Sequence, residues 1–363
     1  MPGLYISYPF CAQKCTYCNF ASGVFPRELE RSYVDALAIE LKGWSGVPDT
    51  VYLGGGTPSQ LDAHDLERVL ATIPGRPWAE ATMEAAPGSI TGEKARAWRE
   101  AGINRVSLGV QSFDPKELAR TGRKHNAEVV TRDVDVLREA GIENLNLDLI
   151  AGLAGQTAES WRASLDWIER IAPPHVSVYM LEVDEDSRLG REVLLNGKRY
   201  GASDVPSDER IVEFYETALA RLEALGIRRY EISNFATPGW ESRHNLKYWN
   251  LEPYFGFGAD AHSFDGVMRW QNVESAGEYV ELMRAGGSAR MDSVAADAME
   301  ERFFVGLRLA AGIRPRAEEW ARFETPIRRF LDAGLLERAG DSLRLSDRGV
   351  LFSNEVFEEF IGA

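Results

Sequence analysis

The first chemical signal in the sequence is a group of three cysteines, Cys11, Cys15 and Cys18, spaced C-x3-C-x2-C, and the chain has no others. An odd number gathered within one short stretch cannot build a disulfide framework, whereas thiolates at this spacing hold metals or iron-sulfur clusters. Three thiolates from one loop can take three corners of a 4Fe-4S cubane and leave the fourth iron with an exchangeable position. A zinc site, which would need a fourth ligand from elsewhere, and simple burial of small side chains are the alternatives.

Further along, Gly54-Gly55-Gly56-Thr57-Pro58-Ser59 is either a tight turn or a loop whose backbone can approach a small polar ligand closely. Glu84 ends one apolar run, Gln111 and Ser112 follow another, Arg123 sits in TGRKHN, and Asp148 lies inside an apolar run, NLNLDLIAGL. A carboxylate in such a run is costly unless paired or hydrogen-bonded, so Asp148 requires a partner such as Arg105 or a ligand hydroxyl.

These residues need a scaffold, and its pattern is legible. Apolar, β-branched runs at Leu4 to Ser7, Thr50 to Leu53, Ala81 to Glu84, Arg105 to Gly109, Asn144 to Leu149 and His175 to Leu181 alternate with amphipathic stretches of helical period. Repeated βα units with right-handed crossovers predict an α/β fold, a partial (β/α)6 TIM-like barrel. Each polar motif follows the C-terminal end of a strand, the face where barrel enzymes place their sites. The core is expected over residues 1–235, a connecting segment over 236–296, and a small C-terminal helical, winged-helix-like domain over 297–363.

Composition excludes several classes. A content of 44% hydrophobic and 27% charged residues is ordinary for a globular chain, and no apolar run reaches the length of a membrane span. The N-terminus shows no basic region followed by an apolar run, so the reading is a cytoplasmic protein. A formal net charge of -15 argues against nucleic acid as a partner, and residues 300–363 hold more acidic than basic side chains, unlike a DNA-binding winged helix.

At YISYPFCAQKCTYCNF the sequence resembles the radical S-adenosylmethionine (SAM) superfamily, in which SAM chelates the open iron through its amino and carboxylate groups. GGGTPS, EAAPGSIT, AGINRVSLGVQSF, LDLIAGLAGQT and RRYEISNFATPG together resemble the coproporphyrinogen III oxidase-like group over nearly the whole chain. The resemblance implies that Tyr5, Gly55, Gly56, Thr57, Glu84, Gln111, Arg123 and Asp148 surround SAM. Glu84 and Asp148 would meet ribose hydroxyls or the amino group, Arg123 the carboxylate, and Tyr17 would pack near the cluster. Within the group, Phe20 after the third cysteine, the short N-terminus and His244-Asn245-Leu246-Lys247-Tyr248-Trp249 resemble the haem-chaperone branch rather than the dehydrogenases.

That resemblance implies haem as cargo, with His244 as iron ligand, Tyr248 and Trp249 as flat faces, and Arg243 and Lys247 for the propionates. It also implies a haem acceptor, peripheral attachment at the inner membrane through that acceptor, a homodimer, and a C-terminal lid or docking module. Coproporphyrinogen dehydrogenase activity is expected to be absent. The competing class is a radical SAM enzyme acting on porphyrinogens or a related methyltransferase. His64 and His175 read as structural, and His125 and His262 as weaker ligand candidates. Ser7, Tyr8, Ala86 and Ala154 depart from the group's pattern, Ser7 replacing its usual histidine.

Overall fold

Strict alternation along the first six strands determines the architecture. In the computed structural model, which describes residues 1–362, β1 Gly3–Tyr8, β2 Thr50–Gly55, β3 Glu80–Ala85, β4 Arg105–Gln111, β5 Asn144–Ala151 and β6 His175–Met180 run parallel in that order. One face of each is apolar and fully buried: Leu4 and Ile6, Val51 and Leu53, Ala81 and Met83, Val106, Leu108 and Val110, Leu145, Leu147 and Leu149, Val176 and Val178. That face packs against α1 Arg27–Lys42, α2 Ala63–Leu70, α3 Gly92–Glu100, α5 Ala127–Glu139 and α6 Ala158–Ile171, with the short α4 Pro115–Thr121 between β4 and α5 in the chain. The opposite face carries Tyr5, Tyr52, Thr82, Glu84, Arg105, Ser107, Asn146, Asp148, His175 and Ser177, so the sheet curls around a polar lumen.

The helices begin where local chemistry dictates. Asn126 accepts from Val129 N at 3.0 Å to cap α5, Asp114 caps α4 with Pro115 in its first turn, and Thr157 and Ser160 cap α6 reciprocally. Their inner stripes, Val130, Val134 and Leu137 on α5 and Trp161, Leu165 and Ile168 on α6, are fully buried. Each such side chain contributes about 1.5–3 kcal/mol.

The six expected strands are present. The segment expected to be a connection is not one, however, because after α7 Arg188–Leu194, α8 Asp208–Ala224, β7 Arg228–Arg229, β8 Asn234–Ala236 and α9 Arg243–Trp249 it adds further strands to the same sheet. β9 Tyr254–Phe257 pairs parallel with β1, and β10 His262–Phe264, β11 Met268–Gln271 and β12 Val294–Ala295 continue antiparallel beyond it, with α10 Ala276–Arg284 between β11 and β12. These strands are only two to four residues long, too short to show a period. On the other edge β8 and β7 pair antiparallel beyond β6.

The C-terminal region comprises α11 Ala298–Phe304, α12 Ala317–Arg322, α13 Glu324–Asp332, the hairpin β13 Leu336–Ala339 and β14 Ser342–Leu345, α14 Asp347–Leu351 and α15 Ser353–Glu358. Phe303, Phe323 and Phe360 form its centre, with the first pair of rings 4.5 Å apart. It is tied to the sheet by the bidentate Arg269–Glu301 pair and by Ala310 N donating to Tyr230 O at 2.9 Å.

Candidate functional site

The cysteine loop leaves the C-terminal end of β1 and is stitched down on every side. Gly23 N donates to Pro9 O at 2.9 Å, Cys11 N to Gly23 O at 2.8 Å, Thr16 N to Thr121 O at 3.3 Å, and Leu189 N of α7 to Thr16 O at 2.8 Å. Cys11, Cys15 and Cys18 are free thiols, each partly exposed. Burial pushes the Cys11 thiol up, partly offset by hydrogen bonds with Thr57 and Ser22. Among the described residues no three His, Cys, Asp or Glu side chains converge as they would around one ion. Thiols spread along one loop suit a cluster in which each thiolate takes a different iron.

The glycine loop after β2 explains its own composition. Gly55 has φ +103, and a Cβ on Gly56 would stand 2.7 Å from the carbonyl oxygens of both Tyr8 and Phe10. Gly56 N donates to Tyr8 O at 2.8 Å and Thr57 N to Phe10 O at 2.9 Å, so the two loops close on each other as a zip. Those amides are therefore spent on the cysteine loop.

Glu84 stands where β3 reaches the mouth. Its Oε2 accepts from Gly55 N at 3.2 Å and its Oε1 from the Tyr52 hydroxyl at 2.9 Å. Burial, reinforced by Asp148, raises this carboxyl to about 7 against the lowering effect of the Tyr52 and Gly55 donors. Asp148 accepts from Asn146 Nδ2 at 2.7 Å and Ser107 Oγ at 3.2 Å; burial raises it too, and these bonds and Ser177 oppose the rise. Its partners are thus neutral groups, and no ion pair with Arg105 forms. Arg105 is itself 1% exposed with an unpartnered Nε, level with the unpartnered Thr82 Oγ1 and Asn144 Oδ1 on the neighbouring strands.

Gln111 ends β4 at a bulge with φ 68, a left-handed conformation that a non-glycine residue adopts at a cost and that is concentrated at functional sites. A Cβ on Gly109 would lie 3.1 Å from Gln111 Nε2 and 3.5 Å from Arg123, which brings both side chains to one spot. Arg123 donates to Gly109 O at 2.7 Å and to the Tyr17 hydroxyl at 3.3 Å and contacts Cys15, while its Nε is buried without a partner. A guanidinium beside the cysteines with a spare donor fits a carboxylate. Tyr5 stacks on Tyr52 with centroids 6.0 Å and planes 24° apart, its hydroxyl near Gly55. Thr57 and Arg123 thus touch the cysteines, while Tyr5, Gly55, Gly56, Glu84, Gln111 and Asp148 lie along the lumen or at its mouth.

Other motif residues serve the scaffold. Ser112 and Gln156 both bond the buried Glu117, and Gln156 Oε1 accepts from Gly152 N at 2.6 Å, which fixes the turn in AGLAGQT. Tyr8 bonds Glu30 of α1. His175 uses both ring nitrogens, on Asn146 at 2.6 Å and the Tyr230 hydroxyl at 2.9 Å. His125 bonds Val110 O at 3.0 Å and burial lowers it to about 4, while His64 and His262 are exposed.

HNLKYW lies at the opposite end of the barrel. Ser242 Oγ and the Arg243 and His244 amides, at the start of α9, all donate to Glu80, the first residue of β3. His244 is fully buried, with Nδ1 bonded to Thr50 Oγ1 at 2.9 Å and Nε2 to the Tyr248 hydroxyl at 2.8 Å, and burial lowers it to about 3. Lys247 pairs with Asp49 and Glu252, both at 3.0 Å. Tyr248 packs edge-on to Tyr254, and Arg308 lies 4.5 Å over Trp249. In this conformation neither ring nitrogen of His244 is free for the expected haem iron, and five residues of strand, about 17 Å, separate it from the mouth. Of the cations expected at the propionates, Lys247 is engaged and Arg243 alone is exposed.

Comparison with known proteins shows the family. Residues 5–168 match the radical SAM superfamily and residues 295–352 the HemN C-terminal domain. The chain is 35% identical to "Heme chaperone HemW" of Bacillus subtilis (strain 168) over 382 residues, covering 100% of each. It is 32% identical to that of Escherichia coli (strain K12) over 385 residues, covering 99% of this chain and 97% of the relative. The solved coproporphyrinogen III oxidase HemN from Escherichia coli, a radical SAM enzyme, superposes with TM-score 0.85 at 21% identity over 99% of this chain and 90% of its own, a likeness of fold.

Proposed function

The chain belongs to the HemW haem-chaperone family of the radical SAM superfamily, and on that premise we propose that it binds haem and passes it to an acceptor protein, with a 4Fe-4S cluster and SAM held at the barrel mouth. The observation that carries the reading is the convergence, at one mouth, of the cysteine loop with polar groups from the ends of the next four strands.

Cys11, Cys15 and Cys18 supply the thiolates. When bound, a cluster with one open iron supplies a chelation point for SAM and a single electron. Arg123, through its unpartnered Nε, orients the SAM carboxylate, and the glycine loop lies toward the amino group. Glu84 and Asp148 accept from hydroxyl or amino donors, Gln111 is held toward Arg123, and Tyr5 covers the loop. Phe20 and Val24, 66% and 64% exposed on the cysteine loop, give a flat apolar cargo a surface next to this site. Asn19 ties that loop to Asp184 at 2.6 Å.

We place the chain in the cytoplasm, with its acceptor at the inner membrane and a homodimer as the form that hands over haem; among the described residues no helix is long and apolar enough to cross a membrane. The test is anaerobic. Protein reconstituted with iron and sulfide is titrated with haem, then given SAM, reductant and coproporphyrinogen III. Stoichiometric haem binding without protoporphyrinogen supports the chaperone, and formation of that product supports the porphyrinogen enzyme instead.

A further inference from the structure

HNLKYW and the mouth are joined through the barrel by a continuous column of contacts. At the bottom, His244 Nδ1 meets Thr50 Oγ1 at 2.9 Å, and its ring lies against Tyr52 with centroids 5.3 Å apart and planes 31° apart. Gly3 permits this closeness, since a Cβ there would stand 3.1 Å from His244 Cε1. At the top, the Tyr52 hydroxyl donates to Glu84 Oε1 at 2.9 Å, and Glu84 Oε2 accepts from Gly55 N at 3.2 Å. Gly55 then leads directly into the amides that zip the glycine loop to the cysteine loop.

The lower end of the column is also where the C-terminal region bears on the barrel. Arg308 spans Trp249, 4.5 Å above its ring, and Glu231, at 3.5 Å. A Cβ on Gly306 would lie 3.8 Å from Trp249 O, so the segment around Gly306 rests on α9. Movement of that region has a short route to α9, and from α9 to the floor of the lumen.

We propose that Tyr52 and His244 are positioning residues that set Glu84 and the glycine loop for SAM, so that the occupancy of the mouth and the seating of α9 are coupled. The proposal rests on the reading of the mouth as a SAM site. Tyr52 aligns one carboxylate oxygen and leaves the other to Gly55, and His244 fixes the plane of the Tyr52 ring. Rotation of Glu84 would release Gly55 N and loosen the loop that meets the methionyl end of SAM. Coupling of this kind is reciprocal, so SAM must in turn tighten the seating of α9.

The experiment uses full-length protein with its cluster reconstituted anaerobically and measures SAM affinity by the change SAM produces in the electron paramagnetic resonance of the reduced cluster. Tyr52→Phe keeps the stack on His244 and removes one hydrogen bond to a carboxylate, so SAM affinity should fall about tenfold with cluster content unchanged. Titration adds a readout that general loosening would not move. Glu84 faces Tyr5, Tyr52, Arg105, Asp148, Tyr179 and Tyr248, and of these Tyr52 donates to it and lowers its pKa. The midpoint of the pH dependence of SAM binding should therefore move upward in Tyr52→Phe.

Thr50→Val, at the far end of the column, should weaken SAM several-fold, and Thr50→Ser, which keeps the hydroxyl, should restore it. Unchanged affinity and midpoint in Tyr52→Phe, or equal affinities in the two Thr50 variants, would overturn the proposal. A wild-type cluster whose spectrum does not respond to SAM would instead overturn the mouth assignment, and this inference with it.

Discussion

Replacing His244 with alanine separates two readings of HNLKYW. The motif suggests an iron ligand, whereas the structure makes His244 a buried keystone under the barrel. Removing an enclosed ring of this size costs about 3 kcal/mol in lost contacts and residual cavity. The Thr50 and Tyr248 hydroxyls lose their shared partner, and imperfect re-pairing adds roughly 1–2 kcal/mol. At about 2.1 cal/mol/K of unfolding entropy per residue, a chain of 363 residues loses roughly 1.3 °C of Tm per kcal/mol. The expected fall is about 6 °C, measured by calorimetry of the apoprotein, with haem affinity at low temperature within a factor of three of wild type. A Tm within 1 °C of wild type together with abolished haem binding would refute the buried-keystone reasoning and return His244 to the iron.

Other consequences can be checked directly. Gly56→Ala places a methyl against the Tyr8 and Phe10 carbonyls, so the two loops cannot zip, and iron bound after reconstitution should drop well below that of wild type. Arg123→Met leaves the cysteines in place but removes the donor beside them, so the cluster should form while SAM affinity falls at least tenfold. Glu84→Gln should stabilise the SAM-free protein at pH 8. The folded-state pKa near 7 lies above an unfolded value of about 4.3, so wild-type stability from this group is lost as pH rises through 7. The advantage of the variant in urea denaturation should therefore shrink toward pH 4, and an equal advantage at pH 4 and pH 8 would contradict the assignment.

Much of the mouth was legible because chemistry there is local in sequence: the cysteine spacing, the glycine run and single polar residues closing apolar strands each mark one strand end. Alternation supplied the barrel, since the outward residues of β1 to β6 are uniformly apolar. What alternation also encodes, and was not drawn from it, is the polar lumen. Tyr52 and Thr82 sit at inward positions of VYLGG and ATMEA and read as ordinary strand residues until their partners across the barrel are known.

HNLKYW supports two readings for a related reason. A histidine, two aromatics and two cations in one short stretch are as suitable for closing a barrel floor as for holding a porphyrin, and only the partners Thr50, Glu80 and Asp49, more than 160 residues upstream, decide between them. The strands of 254–271 are not legible in the sequence because they are shorter than one recognisable period, and their place beside β1 depends on pairing alone.

A chain that carries haem and does not oxidise a porphyrinogen should show it in an anaerobic haem titration of the cluster-reconstituted protein, followed by its Soret absorbance. The expected result of this role is saturation at one haem per chain, with the cluster signal retained and the bound haem transferable to an apo-haemoprotein. Absence of saturable haem binding by protein that holds its cluster would contradict it.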